Sequence, residues 1–194
     1  MLLLQILCPN DFAQSVFDID LDGLRKLGIS GMILDLDNTL MAWDRDEVPA
    51  KAVKWVNTAK EKGFSLCIAS NATGSRVAHI SETLGIPAIS KAVKPRKKPF
   101  RKALEILKLP PEQVAVVGDQ VFTDVLGGNR MQLYTILINP VSRKELRTTR
   151  MVRRVERRVI QRLHRKGYLS DRAFRLRLGE PCADGPSSGK QGRY

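Results

Sequence analysis

Short apolar runs alternate with segments of helical periodicity along the first 140 residues. The apolar runs that predict strands occupy residues 32–36, 64–70, 86–90, 113–119 and 133–139. The segments between them space apolar residues three or four positions apart, as Val77, Ile80 and Leu84 show. Strands that alternate with helices predict an α/β fold, with a Rossmann-like, mostly parallel sheet and helices on both faces.

Three polar residues stand where predicted strands end, namely Asp35, Ser70 and Asp119. In parallel sheets functional groups collect outside the carboxyl ends of the strands, so we expect these side chains to meet along one edge. Asp37 follows Asp35 where the strand opens into a loop. Two carboxylates placed in this way can flank one substrate, one as a nucleophile and the other as a proton carrier.

A cluster of carboxylates at this edge requires a cation. Oxygen ligands beside a phosphate suit Mg²⁺, and Asp119 adds its charge to that of Asp35 and Asp37. Ser70 can donate a hydrogen bond to a phosphoryl oxygen, and Lys94, in the loop KAVKPRKKP, can neutralise charge that develops in the transition state. The sequence therefore indicates phosphate chemistry.

Several of these residues also have a purely structural explanation. Asp119 and Asp124 are good helix-capping and turn residues. Ser70 can equally cap the helix that follows it. Lys94 lies in a strongly basic loop that suits a solvated surface, and only the following proline favours Lys94 over Lys91 as the functional lysine.

Four motifs in order resemble those of the haloacid dehalogenase (HAD) superfamily of Mg²⁺-dependent phosphatases. They are DLDNT, IASN, Lys94 with its proline, and VVGDQVFTD, and together they fall within residues 32–124. A single DxD pair would be a weak signal, but four motifs, each at a predicted strand end or loop, form a specific one.

The resemblance implies a role for each acidic residue. Asp35 would be the nucleophile that forms an aspartyl-phosphate. Asp37 would protonate the leaving alkoxide, then activate water, and its main-chain carbonyl would help to hold Mg²⁺. Asp35 and Asp119 would be the metal ligands with carboxylate groups, and Asp124 would support the metal site.

The remaining motif residues would bind phosphate or order the site. The resemblance implies that Ser70 and Asn71 hold the phosphoryl group and that Lys94 offsets its charge. Thr39 would order the loop that carries the first motif.

The intervals between the motifs are too short for an inserted cap domain. An uncapped site favours large substrates: a protein, a nucleic acid end or a lipid head group. The chain also resembles the YqeG-like branch of HAD subfamily IIIA, which is similar to phosphatidylglycerophosphate phosphatases, over residues 8–169. This implies hydrolysis of phosphatidylglycerophosphate to phosphatidylglycerol. The open alternatives are a phosphatase for a nucleic acid end or a soluble metabolite, and an RNA- or ribosome-binding protein with secondary catalysis.

Charge is distributed unevenly along the 194 residues, whose net charge is +13. Residues 141–194 hold 16 Lys and Arg against 5 Asp and Glu, whereas residues 1–140 hold 17 against 15. The basic excess therefore belongs to an appendage. We predict a phosphatase core over residues 1–140, a basic amphipathic helical extension over 141–169, and a disordered tail over 170–194.

The basic extension contains a predicted helix over residues 150–166. Its pattern places Met151, Val155, Val159 and Leu163 on one face, with Arg153 among the arginines around the rest. Such a helix can lie on an anionic membrane, pack its apolar face on the core, or bind RNA, although stacking aromatics are scarce.

No apolar stretch reaches the ~20 residues of a membrane-spanning helix, so a transmembrane segment is not expected. Three scattered cysteines favour a reducing compartment. Together these features predict a cytoplasmic protein, or one on the matrix side of an organelle, that is peripheral to the membrane.

Overall fold

Six strands form one parallel sheet in the order β1-β6-β5-β2-β3-β4. The computed structural model describes residues 2–142 and 147–178. The strands are β1 (Asp11–Ala13), β2 (Gly31–Leu34), β3 (Ser65–Ala69), β4 (Ala88–Ile89), β5 (Val114–Gly118) and β6 (Tyr134–Ile138). The predicted α/β fold with a parallel sheet is confirmed.

Helices follow most of the strands. They are α1 (Leu2–Gln5), α2 (Leu21–Lys26), α3 (Ala50–Glu61), α4 (Gly74–Leu84), α5 (Lys97–Leu107), α6 (Leu126–Asn129), α7 (Arg147–Arg165) and α8 (Asp171–Leu178). A π-helical turn, Val121–Val125, leads into α6. Where a short helix was predicted near residues 123–126, the chain therefore forms this wider turn first.

The central strands are buried on both faces because helices cover the sheet from both sides. On one face Met32 and Leu34 of β2 share a core with α2, α3 and α4. On the other face Ile33 packs with α5, whose Phe100 is fully buried. Unbroken apolar runs are typical of strands that are buried in this way.

The structure differs from the sequence predictions at two edges of the fold. The edge strand β1 was not predicted, since three residues carry too little pattern. Residues 171–178 were assigned to a disordered tail but form α8. The Ser170 hydroxyl accepts the N–H of Ala173 at 3.2 Å, and Phe174 stacks on His164, which explains why the helix forms. The rest of the predicted tail, 179–194, lies outside the described residues, as do positions 143–146.

The extension packs on the sheet through only part of the predicted apolar face. Ile160 and Leu163 are buried beside Leu137 of β6. Met151 and Val155, expected on the apolar face with Leu163, are 71% and 47% exposed. The helix is turned in this way because two charged side chains, Arg153 and Glu156, share its buried face.

No domain is inserted into the continuous stretch 2–142, so the predicted absence of a large cap holds there. Among the described residues no helix is long and apolar enough to cross a membrane.

Candidate active site

The candidate site lies between β2 and β5, where the order in which the chain adds strands to the sheet reverses. From β2 the chain proceeds to β3 and β4 on one side, and it then returns to β5 on the other side of β2. Parallel sheets bind ligands at this kind of switch point. Asp35 directly follows β2, and its N–H donates to the Val117 carbonyl of β5 at 2.9 Å. Asp119 directly follows β5.

Three buried carboxylates converge at this point. Oxygen atoms of Asp35, Asp119 and Asp124 all lie within 4.8 Å of one another. Asp124 reaches the cluster because the π-helical turn folds it back over the end of β5. A side chain at Gly118 would overlap the Asp124 carboxyl group, so only glycine fits there. The sequence assigned Asp124 a supporting role, and the structure places it beside the predicted metal ligands.

Lys94 links two members of this cluster. Its ammonium donates to Asp35 Oδ1 and to Asp124 Oδ1, both at 2.6 Å, and the side chain is buried. Lys91 is exposed. Of the two lysines that the sequence left open, Lys94 is therefore the one at the carboxylates.

Crowding and burial affect how these groups ionise. Burial raises the pKa of Asp35 to about 7; Lys94 opposes the shift, and the neighbouring carboxylates add to it. Burial likewise raises the pKa of Asp119 to about 6, against the effect of Arg153. Burial alone would lower the pKa of Lys94, but Asp124 and Asp35 raise it above its usual value. Lys94 therefore remains charged.

The cluster fits a divalent cation. Asp119 Oδ1 is buried and has no hydrogen-bond partner within the described chain. An acceptor in that position is costly unless something binds it. Three carboxylates offer the hard oxygen ligands that Mg²⁺ and similar ions prefer.

Asp37 lies apart from the three carboxylates. It is partly exposed, and Arg76 of α4 donates to its Oδ1 through two nitrogens, at 3.2 and 3.4 Å. Arg76 also pairs with Asp46 at 2.6 Å, which ties the loop after the first motif to α4. The predicted metal contact of Asp37 is through its main-chain carbonyl, which this cluster does not include, and it stays a prediction.

The predicted phosphate-binding residues surround the same edge. Ser70 is buried and its hydroxyl accepts the Ala72 N–H at 3.1 Å, so the hydroxyl hydrogen is still available to a ligand. Asn71 accepts the main-chain N–H of Lys94 at 2.9 Å and so positions the lysine loop. Thr39 is fully buried, and its hydroxyl has no partner within the described chain. Its N–H donates to the Leu36 carbonyl at 3.2 Å, and its ordering role stays a prediction.

An open pocket of ≈ 280 Å³ connects these groups. Its lining includes the site residues Asp35, Asp37, Ser70, Asn71 and Lys94, together with Trp43, Gln120 and Thr123. Gln120 and Thr123 were not predicted as site residues, although both lie inside the fourth motif.

Comparisons with known proteins agree with this arrangement. Residues 10–132 match the family model of haloacid dehalogenase-like hydrolases. The chain belongs to this family.

Two relatives of this HAD hydrolase are informative. A protein of Bacillus subtilis described as the probable phosphatase YqeG is 42% identical over 168 residues, which cover 87% of this chain and 98% of the relative. Phosphatidylglycerophosphate phosphatase 1 of Arabidopsis thaliana, chloroplastic/mitochondrial, is 30% identical over 84% of this chain. The match spans about half of that relative, 50%.

A solved structure of an uncharacterized protein from Listeria monocytogenes serotype 4b also matches this HAD hydrolase, at a TM-score of 0.49 and 18% identity. The match covers 61% of this chain and 86% of that one.

Four charged residues at the site of the HAD hydrolase were not predicted from the sequence: Arg76, Arg153, Glu156 and Arg177. Arg76 carries no motif signal. Arg153 was expected on the exposed arginine face of α7, which is wrong: its guanidinium is buried against the side chain and main-chain carbonyl of Asp119. Glu156, one turn further along α7, is also buried. A glutamate inside an arginine-rich helix was the only available signal.

Proposed function

We propose that this protein is a Mg²⁺-dependent phosphomonoesterase that works through an aspartyl-phosphate. The observation that carries the proposal is the pairing of Asp35 with Lys94 at the switch point, next to two further buried carboxylates. A carboxylate that is held by a lysine and faces an open pocket is placed to act as a nucleophile.

The proposed reaction has two steps, formation and hydrolysis of the aspartyl-phosphate. An oxygen of Asp35 attacks phosphorus, the ester P–O bond breaks, and Asp37 gives its proton to the leaving alkoxide. Water then attacks the aspartyl-phosphate, Asp37 takes a proton from it, and inorganic phosphate leaves with the Asp35 carboxylate restored. Arg76 holds one oxygen of Asp37, which leaves the other oxygen for proton transfer.

Three groups are available to the phosphoryl oxygens. Ser70 offers its hydroxyl hydrogen and Asn71 its amide hydrogens, since the oxygen of each side chain already accepts a main-chain N–H. Lys94 offers positive charge. Donors that are fixed before the substrate arrives stabilise the charge of the transition state without reorganisation.

Asp35 and Asp119 would hold Mg²⁺, with Asp124 beside them and the Asp37 carbonyl as the proposed main-chain ligand. When bound, this ion supplies charge neutralisation and alignment for the phosphoryl group.

The substrate proposed is phosphatidylglycerophosphate, with phosphatidylglycerol as the product. The pocket has room for a phosphate head group but lies below the usual range for a drug-sized ligand, so the acyl chains must stay outside it. Trp43 lines the pocket and is partly exposed. Val93 and Val141 are exposed nearby: the N–H of Ala92, next to Val93, donates to the Ser70 carbonyl, and the N–H of Val141 donates to the carbonyl of Asn38, which also lines the pocket. The name of the Arabidopsis thaliana relative, phosphatidylglycerophosphate phosphatase 1, supports this choice.

We also propose a peripheral position on an anionic membrane, which the exposed surface of α7 supports. Arg154, Arg157 and Arg158 are exposed on α7, next to exposed Met151 and Val155. Basic and apolar groups on one helix surface suit anionic head groups. We propose a cytoplasmic or organelle-matrix protein that docks in this way.

A phosphate-release screen on the purified protein tests the proposal. Phosphatidylglycerophosphate in vesicles should be cleaved faster than nucleotide, oligonucleotide-end or sugar phosphates. A chelator should stop the reaction and Mg²⁺ should restore it. If the protein prefers a soluble or nucleic acid phosphate, the lipid substrate is rejected and the proposed phosphomonoesterase activity stands. Full activity in excess chelator would reject the metal.

A further inference from the structure

Asp119 is held by arginine side chains from outside the region that matches the family model. Arg153 of α7 donates to Asp119 Oδ2 and to the Asp119 main-chain carbonyl. Arg177 of α8 donates to the same carbonyl at 3.0 Å. A planar guanidinium that contacts two atoms of one residue fixes its orientation as well as its charge.

The two oxygens of this carboxylate have different surroundings. Oδ2 is taken by Arg153, whereas Oδ1 is buried without a hydrogen-bond partner in the described chain. One carboxylate oxygen of Asp119 lies within 4.8 Å of carboxylate oxygens of Asp35 and Asp124. Arg153 therefore binds one oxygen of the Asp119 carboxylate and leaves the other available to a cation.

Glu156 extends this control to the segment after Asp119. Its Oε1 accepts the N–H groups of Val121 and Phe122, at 2.6 and 3.2 Å, where the π-helical turn begins. Its other oxygen lies 3.3 Å from Arg153 and 3.7 Å from Arg177. One ion-pair cluster thus fixes the metal-site aspartate and the turn that delivers Asp124.

Stability alone is a weak reason for this cluster. Arg153 and Glu156 are 6% and 1% exposed on a helix face that also buries Ile160 and Leu163. Apolar residues can often replace buried ion pairs without loss of stability. Buried charges that contact Asp119, a candidate metal ligand, therefore point to a role in the metal site.

We propose that Arg153, supported by Glu156 and Arg177, is a positioning residue that sets Asp119 for binding of the divalent cation. The extension is then part of the metal site. The inference rests on the proposed function for the identity of the cation site, but its test needs no substrate.

The experiment measures Mn²⁺ and Mg²⁺ binding to the full chain by calorimetry, without substrate, and thermal unfolding in parallel. Arg153→Met should weaken metal binding by about 10–100-fold, the range typical for partners of metal ligands. Arg153→Lys keeps the charge but loses the two-atom contact, so its metal affinity should lie between those of the wild type and Arg153→Met. Glu156→Gln should also weaken binding. Arg175→Met, which removes an exposed arginine of α8, should match the wild type.

Each result decides the proposal. A folded Arg153→Met protein that binds metal like the wild type overturns it, even if its melting temperature is lower, because the cluster would then serve stability only. If Arg153→Met does not fold, unchanged metal affinity in Arg153→Lys and Glu156→Gln overturns it. Wild-type protein that binds metal but cleaves no phosphate ester rejects the proposed function and leaves this inference standing.

Discussion

The sheet and the C-terminal extension bury charge in different places. In the sheet, β2 and β5 are apolar throughout, and Asp35 and Asp119 appear only after each strand ends. In the extension, Arg153 and Glu156 lie on the buried face of α7 itself. The apolar pattern therefore locates the sheet and its functional edge. It misorients the helix, because an ion pair is buried at positions that the pattern assigns to the exposed, polar face.

The first prediction concerns the edge of the sheet and has the largest expected effect. Asp35→Asn should abolish phosphate release, because an amide cannot replace the carboxylate nucleophile. Circular dichroism and thermal unfolding should show a folded protein. Asp44→Asn is the matched control, since Asp44 is exposed in the loop that follows, and it should retain activity. Turnover near the wild-type rate in folded Asp35→Asn would end the aspartyl-phosphate mechanism.

Asp37→Asn separates proton transfer from metal binding at the same edge. We expect kcat to fall by about 10²–10⁴-fold, the usual loss when a general acid or base is removed. Calorimetric Mg²⁺ affinity should change little, because the Asp37 carboxylate is not in the cluster. Asp46→Asn removes the other carboxylate partner of Arg76 and should leave most activity. A large loss of metal affinity in Asp37→Asn would show that this side chain serves the metal instead.

How far the sequence predicts this molecule depends on what each segment buries. The strands from β2 to β6 could be predicted because each is a mostly apolar run, and the site residues at strand ends because they follow those runs. The three residues of β1 carry no comparable signal. Arg76 and Arg153 could not be assigned, because their partners, Asp37 and Asp119, are distant in the chain. Only the folded structure shows which charges meet.

The orientation of α7 can be tested through stability. Leu163→Ala should lower the free energy of unfolding by about 2–5 kcal/mol, as for other fully buried leucines. Val155→Ala should change it by no more than about 0.5 kcal/mol, because Val155 is exposed. Urea unfolding of both variants gives the comparison. Equal losses would mean that α7 packs through the face that the apolar pattern predicts.

The smallest expected effect concerns the exposed surface of α7. Reversing Arg154, Arg157 and Arg158 to Glu should weaken binding to vesicles that contain phosphatidylglycerol. Each arginine near an anionic surface contributes about 1 kcal/mol, so three should cost about 3 kcal/mol, roughly 100-fold in partitioning. Arg153 is left unchanged because it is buried. Vesicle co-sedimentation at increasing phosphatidylglycerol content and at increasing salt measures the effect.

The charge-matched control for this surface reverses Arg101, Lys102 and Lys108, which are exposed on or next to α5. The control variant has the same net charge as the α7 variant. Equal loss of vesicle binding in both would therefore mean that overall charge, and not the surface of α7, determines binding. Binding of the α7 variant that equals the wild type would reject membrane docking through this helix. If the wild type instead binds RNA with a steep salt dependence and shows no preference for anionic vesicles, the extension serves nucleic acid. The buried face of α7 would then still hold Asp119, since its contacts do not depend on what the exposed face binds.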